Sequence, residues 1–88
     1  MAWTVSFEPR ALSELKKLER SAQRRVVRFL EERIAGNHNP RDFGKPLRGE
    51  KVGLWRYRVG QYRVVCRIDD KRLAVLVLRV AHRRDVYR

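Results

Sequence analysis

The run Leu54-Trp55-Arg56-Tyr57-Arg58-Val59-Gly60-Gln61-Tyr62-Arg63-Val64-Val65-Cys66-Arg67-Ile68 decides the fold. Trp55, Tyr57 and Val59 alternate with Arg56 and Arg58, the period of a half-buried strand. Gly60-Gln61 is then the Gly-X signal of a two-residue hairpin turn, after which Tyr62, Val64, Cys66 and Ile68 alternate with Arg63, Val65 and Arg67. A turn centred there predicts the pairs Val59–Tyr62, Arg58–Arg63, Tyr57–Val64, Arg56–Val65, Trp55–Cys66 and Leu54–Arg67. This register sorts the chemistry by face: Trp55, Tyr57, Val59, Tyr62, Val64 and Cys66 face the core, and Arg56, Arg58, Arg63 and Arg67 share the other side with Val65. Directly opposed like charges such as Arg58 and Arg63 destabilise a sheet by up to about 1 kcal/mol. Four arginines on one face therefore bring no folding benefit, and an anion would relieve them.

Downstream, Asp69-Asp70-Lys71 reads as a turn, and Leu73 to Val80 as an apolar run suited to an inner strand covered on both faces, with Arg79 directed toward the arginine face. Upstream, Ala2 to Phe7 alternates as a short strand, and Pro9 fits the first position of a helix over about 9 to 19 carrying Ala11, Leu12, Leu15 and Leu18. Ser21 is the expected N-cap of a second helix to about Ala35, with Ala22, Val26, Phe29, Leu30 and Ile34 as its apolar stripe. Arg24, Arg25, Arg28, Glu31 and Glu32 face outward on that helix, and Gly36-Asn37 stops it. Gly36 to Gly53, broken by Pro40, Gly44, Pro46 and Gly49, reads as a long loop whose Arg41, Lys45, Arg48 and Lys51 either touch a ligand or are solvated. The predicted fold is α+β in one domain, residues 1–88. An N-terminal strand and an antiparallel helix hairpin precede a three-stranded antiparallel meander that completes a four-stranded mixed sheet.

The 88 residues carry 22 Lys plus Arg against 10 Asp plus Glu, a net charge of +12. Ordinary solubility needs a magnitude of only about 2 to 8. Of the basic residues 17 are arginine, whose planar fork suits phosphate. Residues 45–88 carry +9 of the charge and residues 1–44 only +3. A polyanionic partner is expected, with the second half of the chain facing it. No apolar run approaches the roughly 18 residues of a membrane helix, and MAWTVSFEPR lacks the pattern of a signal peptide. The cytoplasm is the expected compartment, with no membrane association. One cysteine and two histidines exclude an internal disulfide and the usual structural zinc site, and there is no glycine-rich phosphate loop, so neither metal nor cofactor is expected. Cys66 is expected to be a small buried thiol.

Three stretches together resemble the RelE-type toxins of bacterial toxin–antitoxin pairs, within the RelE/ParE superfamily. They are Phe7-Glu8-Pro9-Arg10-Ala11-Leu12, then Pro46-Leu47-Arg48-Gly49 with the hairpin to Arg63, and the closing Val80-Ala81-His82-Arg83-Arg84-Asp85-Val86-Tyr87. The similarity extends over nearly the whole chain. It implies a small α+β ribonuclease that cleaves mRNA, generally in the ribosomal A site, and is silenced in a hetero-oligomer by a cognate acidic RelB-like antitoxin. By position, the family's basic pair falls on Arg56 and Arg58, its strand arginine on Arg63, its tail arginine on Arg83 and its terminal tyrosine on Tyr87. The implied reaction is metal-independent attack of a ribose 2′-hydroxyl on the adjacent phosphate.

Well-studied members carry lysines where this chain has Arg56 and Arg58, and arginine cannot act as a base. Proton transfer is therefore assigned to Tyr87 or His82, and charge stabilisation to the arginines. Arg48, Lys51, Arg67, Arg79 and Arg84 are candidate contacts to RNA or the ribosome. With a single residue after Tyr87, the longer C-terminal helix of some relatives is not expected here. An exposed apolar groove is expected to remain, and an acidic antitoxin segment is expected to pack a helix or strand against the toxin and to cover or displace the tail within residues 73–88. Two other readings share the basic surface: a ParE-like poison of DNA gyrase, and a non-catalytic RNA-binding module.

Overall fold

The computed structural model describes residues 2–47 and 53–82, and in it the central hairpin takes the predicted register pair for pair. β3 (Leu54–Val59) and β4 (Tyr62–Asp69) are joined by Gly60, whose φ of +60° is a left-handed conformation that glycine adopts without steric cost. β5 (Ala74–His82) runs antiparallel to β4, and β1 (Thr4–Phe7) lies parallel to β5, from Thr4 opposite Ala74 to Phe7 opposite Val77. A further strand, β2 (Lys45–Pro46), pairs antiparallel with Arg56 and Trp55 of β3. The sheet therefore has five strands in the order β1-β5-β4-β3-β2, where the sequence predicts four. The extra strand hides inside the loop because proline breaks its pattern. At a sheet edge, however, the missing N–H of Pro46 costs no ladder bond, and the N–H of Leu47 still donates to the Leu54 carbonyl at 3.0 Å.

Two helices cover one face of this sheet. α1 (Pro9–Lys16) opens on its proline and ends at Lys16 rather than near residue 19, because the N–H groups of Lys17 and Leu18 tighten onto the carbonyls of Glu14 and Leu15. The Gln23 side-chain amide then donates to the carbonyls of Leu18 at 2.8 Å and Lys16 at 3.2 Å, closing the helix hairpin. α2 (Arg20–Phe29) has Glu19, not Ser21, at its N-cap, with no side-chain capping bond. It widens into a π-helical turn, Leu30–Ile34, in which the N–H of Ala35 reaches the Leu30 carbonyl at 2.8 Å. Gly36 follows and exchanges two backbone hydrogen bonds with Trp3, of 2.7 and 2.9 Å.

Ala11, Leu15, Val26, Leu30 and Ile34 bury against Tyr57, Val59, Val64, Cys66, Val75, Val77 and Val80. The opposite face holds only a small cluster of Leu47, Val65 and Ala81 with Leu54. Among the described residues β5 is therefore an inner strand with helices over one face only, and Leu76 and Leu78 are half-buried.

β5 is also not regular. Val65 faces Arg79 while Cys66 faces Val77, which leaves Leu78 as an extra residue in a β-bulge. The insertion shifts the alternation so that Val77 and Val80 both enter the core. It also turns Arg79 away from the arginine face: its Nε lies 3.0 Å from Glu14 Oε2 on α1, while Glu14 Oε1 accepts the Val80 N–H at 2.9 Å. One carboxylate thus satisfies the backbone group that the bulge releases and neutralises the cation beside it. Elsewhere, Arg41 grips Asp70 through two bonds of 2.7 and 2.9 Å, tying the long loop to the β4–β5 turn. The guanidinium holds the Asp70 carboxyl below the usual carboxylate range, although so exposed a pair adds little stability.

Two predictions come from this core. Replacing Glu14 by alanine leaves the Val80 N–H unsatisfied and Arg79 unneutralised. We expect a loss of about 1 to 3 kcal/mol in urea unfolding, with Glu14→Gln retaining part of it through its amide oxygen. The second concerns Cys66, whose thiol donates to the Trp55 carbonyl at 3.6 Å and is pushed up to about 12 by burial. The buried Tyr57 hydroxyl is raised in the same direction, by burial and by the neighbouring Cys66, and donates to the Pro40 carbonyl at 2.7 Å. Raised acids favour the folded state while protonated, so this contribution is complete below the ordinary thiol value of 9.0 and is lost as pH rises toward about 12. Thiol labelling near pH 8 should therefore proceed only through unfolding, and stability measured against pH should fall on the alkaline side.

Candidate functional site

Strand alternation and the hairpin register bring Arg56 and Arg58 of β3 and Arg63 of β4 to the face opposite the two helices, with Arg58 directly opposite Arg63. Lys45 of β2 stands opposite Arg56. Arg58 and Lys45 are exposed, and Arg56 and Arg63 are half-buried. All four line one pocket of about 300 Å³ at the outer edge of β3, together with Phe29, Phe43, Gly44 and Tyr57.

The other wall is built by α2 and the long loop. The Phe29 ring meets Phe43 edge-on, with centroids 6.2 Å apart, and tilts against Tyr57 at 5.5 Å. Two hydrogen bonds hold the loop on the strand: Trp55 Nε1 donates to the Phe43 carbonyl at 2.6 Å, and the Tyr57 hydroxyl to the Pro40 carbonyl at 2.7 Å. Gly44, at φ +76°, permits this approach, since a β-carbon there would run into the Arg56 carbonyl oxygen and the Trp55 and Tyr57 rings. The result is a preformed cavity, cationic on one side and aromatic on the other. An anion bound there meets several guanidinium forks at once.

The other sequence-predicted residues fall differently. Arg67 shares the open face but lies farther along β4, opposite Leu54 and Leu76 and outside the pocket. Arg79 is paired with Glu14. His82 stands opposite Tyr62, the two rings edge-on at 5.8 Å, in a row that the register directs to the helix-bearing face. The sheet therefore does not bring His82 onto the arginine face. Arg48, Lys51, Arg83, Arg84 and Tyr87 lie outside the described residues, as does the part of the tail from residue 83 onward that the antitoxin is expected to cover or displace. Among the described residues, no three His, Cys, Asp or Glu side chains gather as metal ligands.

Sequence reasoning missed the aromatic wall: Phe29 reads as part of the apolar stripe, and Phe43 carries no periodic signal. Arg25, which the helical pattern places on the outward face, is another such residue. A β-carbon added at Gly60 would lie 2.8 Å from Arg25 Nη2, so this guanidinium rests on the hairpin tip. The available signal was its spacing, one helical turn before Phe29.

The sequence matches, over residues 5–87, the family described as the ParE toxin of type II toxin-antitoxin systems, parDE. It is 41% identical over 88 residues to Toxin RelG of Mycobacterium tuberculosis, covering 100% of this chain and 99% of that protein. Toxin RelE of the same organism is 34% identical over 84 residues, covering 96% of this chain and 84% of that protein. Among solved structures, the toxin-antitoxin complex RelBE2 from Mycobacterium tuberculosis is similar with a TM-score of 0.81 and 38% identity, over 94% of this chain and 100% of that one. The archaeal RelE-RelB complex from Pyrococcus horikoshii OT3 is similar with a TM-score of 0.72 and 25% identity, over 98% of this chain and 100% of that one. With two helices packed on a five-stranded mixed sheet as in those structures, and with a family match over nearly its whole length, this chain belongs to the ParE toxin family of the RelE/ParE superfamily and is a toxin of a type II toxin–antitoxin system.

Proposed function

We propose that this toxin is a metal-independent endoribonuclease that cuts mRNA in the ribosomal A site and so halts translation. The observation that carries the reading is the convergence of Arg56, Arg58 and Arg63, with Lys45, on one preformed pocket. Attack of a ribose 2′-oxygen on the neighbouring phosphorus builds negative charge on the phosphoryl oxygens. It also requires a proton to leave the 2′-hydroxyl and another to reach the departing 5′-oxygen. Fixed guanidinium groups stabilise the first change without rearranging, an effect worth on the order of 10²- to 10³-fold per preorganised donor. They cannot move the protons. His82 stands on the helix-bearing face, so Tyr87 is the residue proposed for proton transfer, with Arg83 joining the phosphate clamp.

The named relatives support the rest of the reading. Toxin RelE and Toxin RelG are similar along most or all of this chain, and several of the similar solved structures are toxin-antitoxin complexes of RelE with RelB. A RelB-like acidic antitoxin forming a hetero-oligomer with this toxin is the proposed partner, and a net charge of +12 favours it. The cytoplasm, where mRNA and ribosomes meet, is the proposed place of action. Among the described residues no helix is long and apolar enough to cross a membrane. The ParE name of the matching family favours a second reading, poisoning of DNA gyrase.

Mapping of 5′ ends on an mRNA incubated with the purified toxin, with and without programmed ribosomes, separates the two. The expected outcome is ribosome-dependent cleavage within the A-site codon, lowered about 10²- to 10³-fold by Arg58→Ala, Arg63→Ala or Arg83→Ala. Intact RNA accompanied by inhibited gyrase supercoiling would move the assignment to the second reading.

A further inference from the structure

We infer that the pocket at the edge of β3 receives an unpaired nucleobase, stacked on Phe43 and Phe29, from the same strand whose phosphate lies on Arg56, Arg58 and Arg63. The inference rests on the ribonuclease reading and names what that site recognises beyond charge.

Three features of the cavity fit a nucleotide and exceed what a bare phosphate needs. Its two kinds of wall stand in one space of about 300 Å³, with cations along one side and phenyl rings along the other. A nucleotide has the same two parts, an anion joined to a flat ring. The outer edge of β3 is also partly unpaired: β2 pairs only with Arg56 and Trp55, so Tyr57 to Val59, bonded to β4 on their inner side, have no described strand on their outer side. Backbone donors and acceptors on that stretch are of the type that reads the edge of a base. The aromatic wall, finally, is rigid before any ligand arrives. The Trp55 indole holds the Phe43 carbonyl, and the Arg33 guanidinium stands 5.6 Å from the Phe43 ring centroid. The Phe29 ring braces Phe43 edge-on from α2. A ring fixed in this way loses little freedom when a base stacks on it.

The test is an NMR titration of the full chain with guanosine 3′-monophosphate and, separately, with inorganic phosphate at the same ionic strength. The nucleotide is expected to shift the amides of Gly44 and Lys45 and the ring protons of Phe43. It should bind about 5- to 100-fold more tightly than phosphate, the range that a base-stacking aromatic contributes. Phe43→Leu, which keeps an apolar side chain against Phe29, is expected to remove that advantage. If the variant loses its amide dispersion, Phe29→Leu supplies the same comparison. Equal affinity for nucleotide and phosphate, with shifts confined to the arginine side chains, would overturn the base pocket and leave the ribonuclease reading standing. An advantage that survives both leucine variants would likewise overturn stacking. Binding of neither probe would overturn the base pocket and remove the support on which the ribonuclease reading rests.

Discussion

The two-residue turn at Gly60 and Gln61 sets the register of β3 on β4, and with it the side of the sheet on which every residue of the hairpin lies. Because side chains alternate, a slip of one residue in either strand would turn its whole set over. A slip in β4, for example, would carry Val64 and Cys66 into water and drive Arg63 beneath the helices. The core and the cation cluster are thus one arrangement seen from two sides. Gly60 serves this twice, by adopting a positive φ and by leaving the space that the Arg25 guanidinium occupies. Once β4 is fixed, β5 and then β1 follow by pairing, and α1 and α2 close over the apolar side.

Charge is distributed accordingly. Glu14 is engaged by Arg79, Glu32 by Arg28, Asp69 by Arg72 and Asp70 by Arg41. None of these carboxylates lines the pocket, where Lys45 faces Arg56 and Arg58 faces Arg63 across the strands. Directly opposed like charges on a sheet repel by up to about 1 kcal/mol. That cost is met by the buried layer on the other face and yields a concentrated positive field at a preformed cavity. The same field is a reason for an acidic partner, since an anionic chain across the cluster relieves the repulsion whether it is RNA or protein.

The hairpin was legible in the sequence because two independent signals, period-2 alternation and a Gly-X turn, agree at the same residue. The α2 stripe through Val26, Leu30 and Ile34 was legible for a similar reason. β2 was not, being two residues long and containing a proline that only an edge position tolerates. Nor was the bulge at Leu78, since one extra residue leaves no mark inside an uninterrupted apolar run. That hidden insertion is why Arg79 points to Glu14 and not to the arginine face. The aromatic wall escaped notice because Phe29 and Phe43 come from a helix and a loop whose meeting depends on the tertiary packing of Tyr57 and Gly44. The cationic half of the site could be read from one strand pair; the apolar half needed the fold.

β1 has one strand neighbour, and that neighbour is β5, with Thr4 beside Ala74 and Phe7 beside Val77. β1 is therefore completed only by a strand far later in the chain, Thr4 finding Ala74. During synthesis the helix hairpin emerges early with its apolar side bare, and its covering from Val75 and Val77 arrives only when those residues have left the ribosome. Pairing across so long a separation is slow and is not available to a partial chain. A nascent copy accordingly keeps the apolar side of its helix hairpin bare until β5 has emerged, which makes closure of the core one event tied to that strand rather than a gradual one.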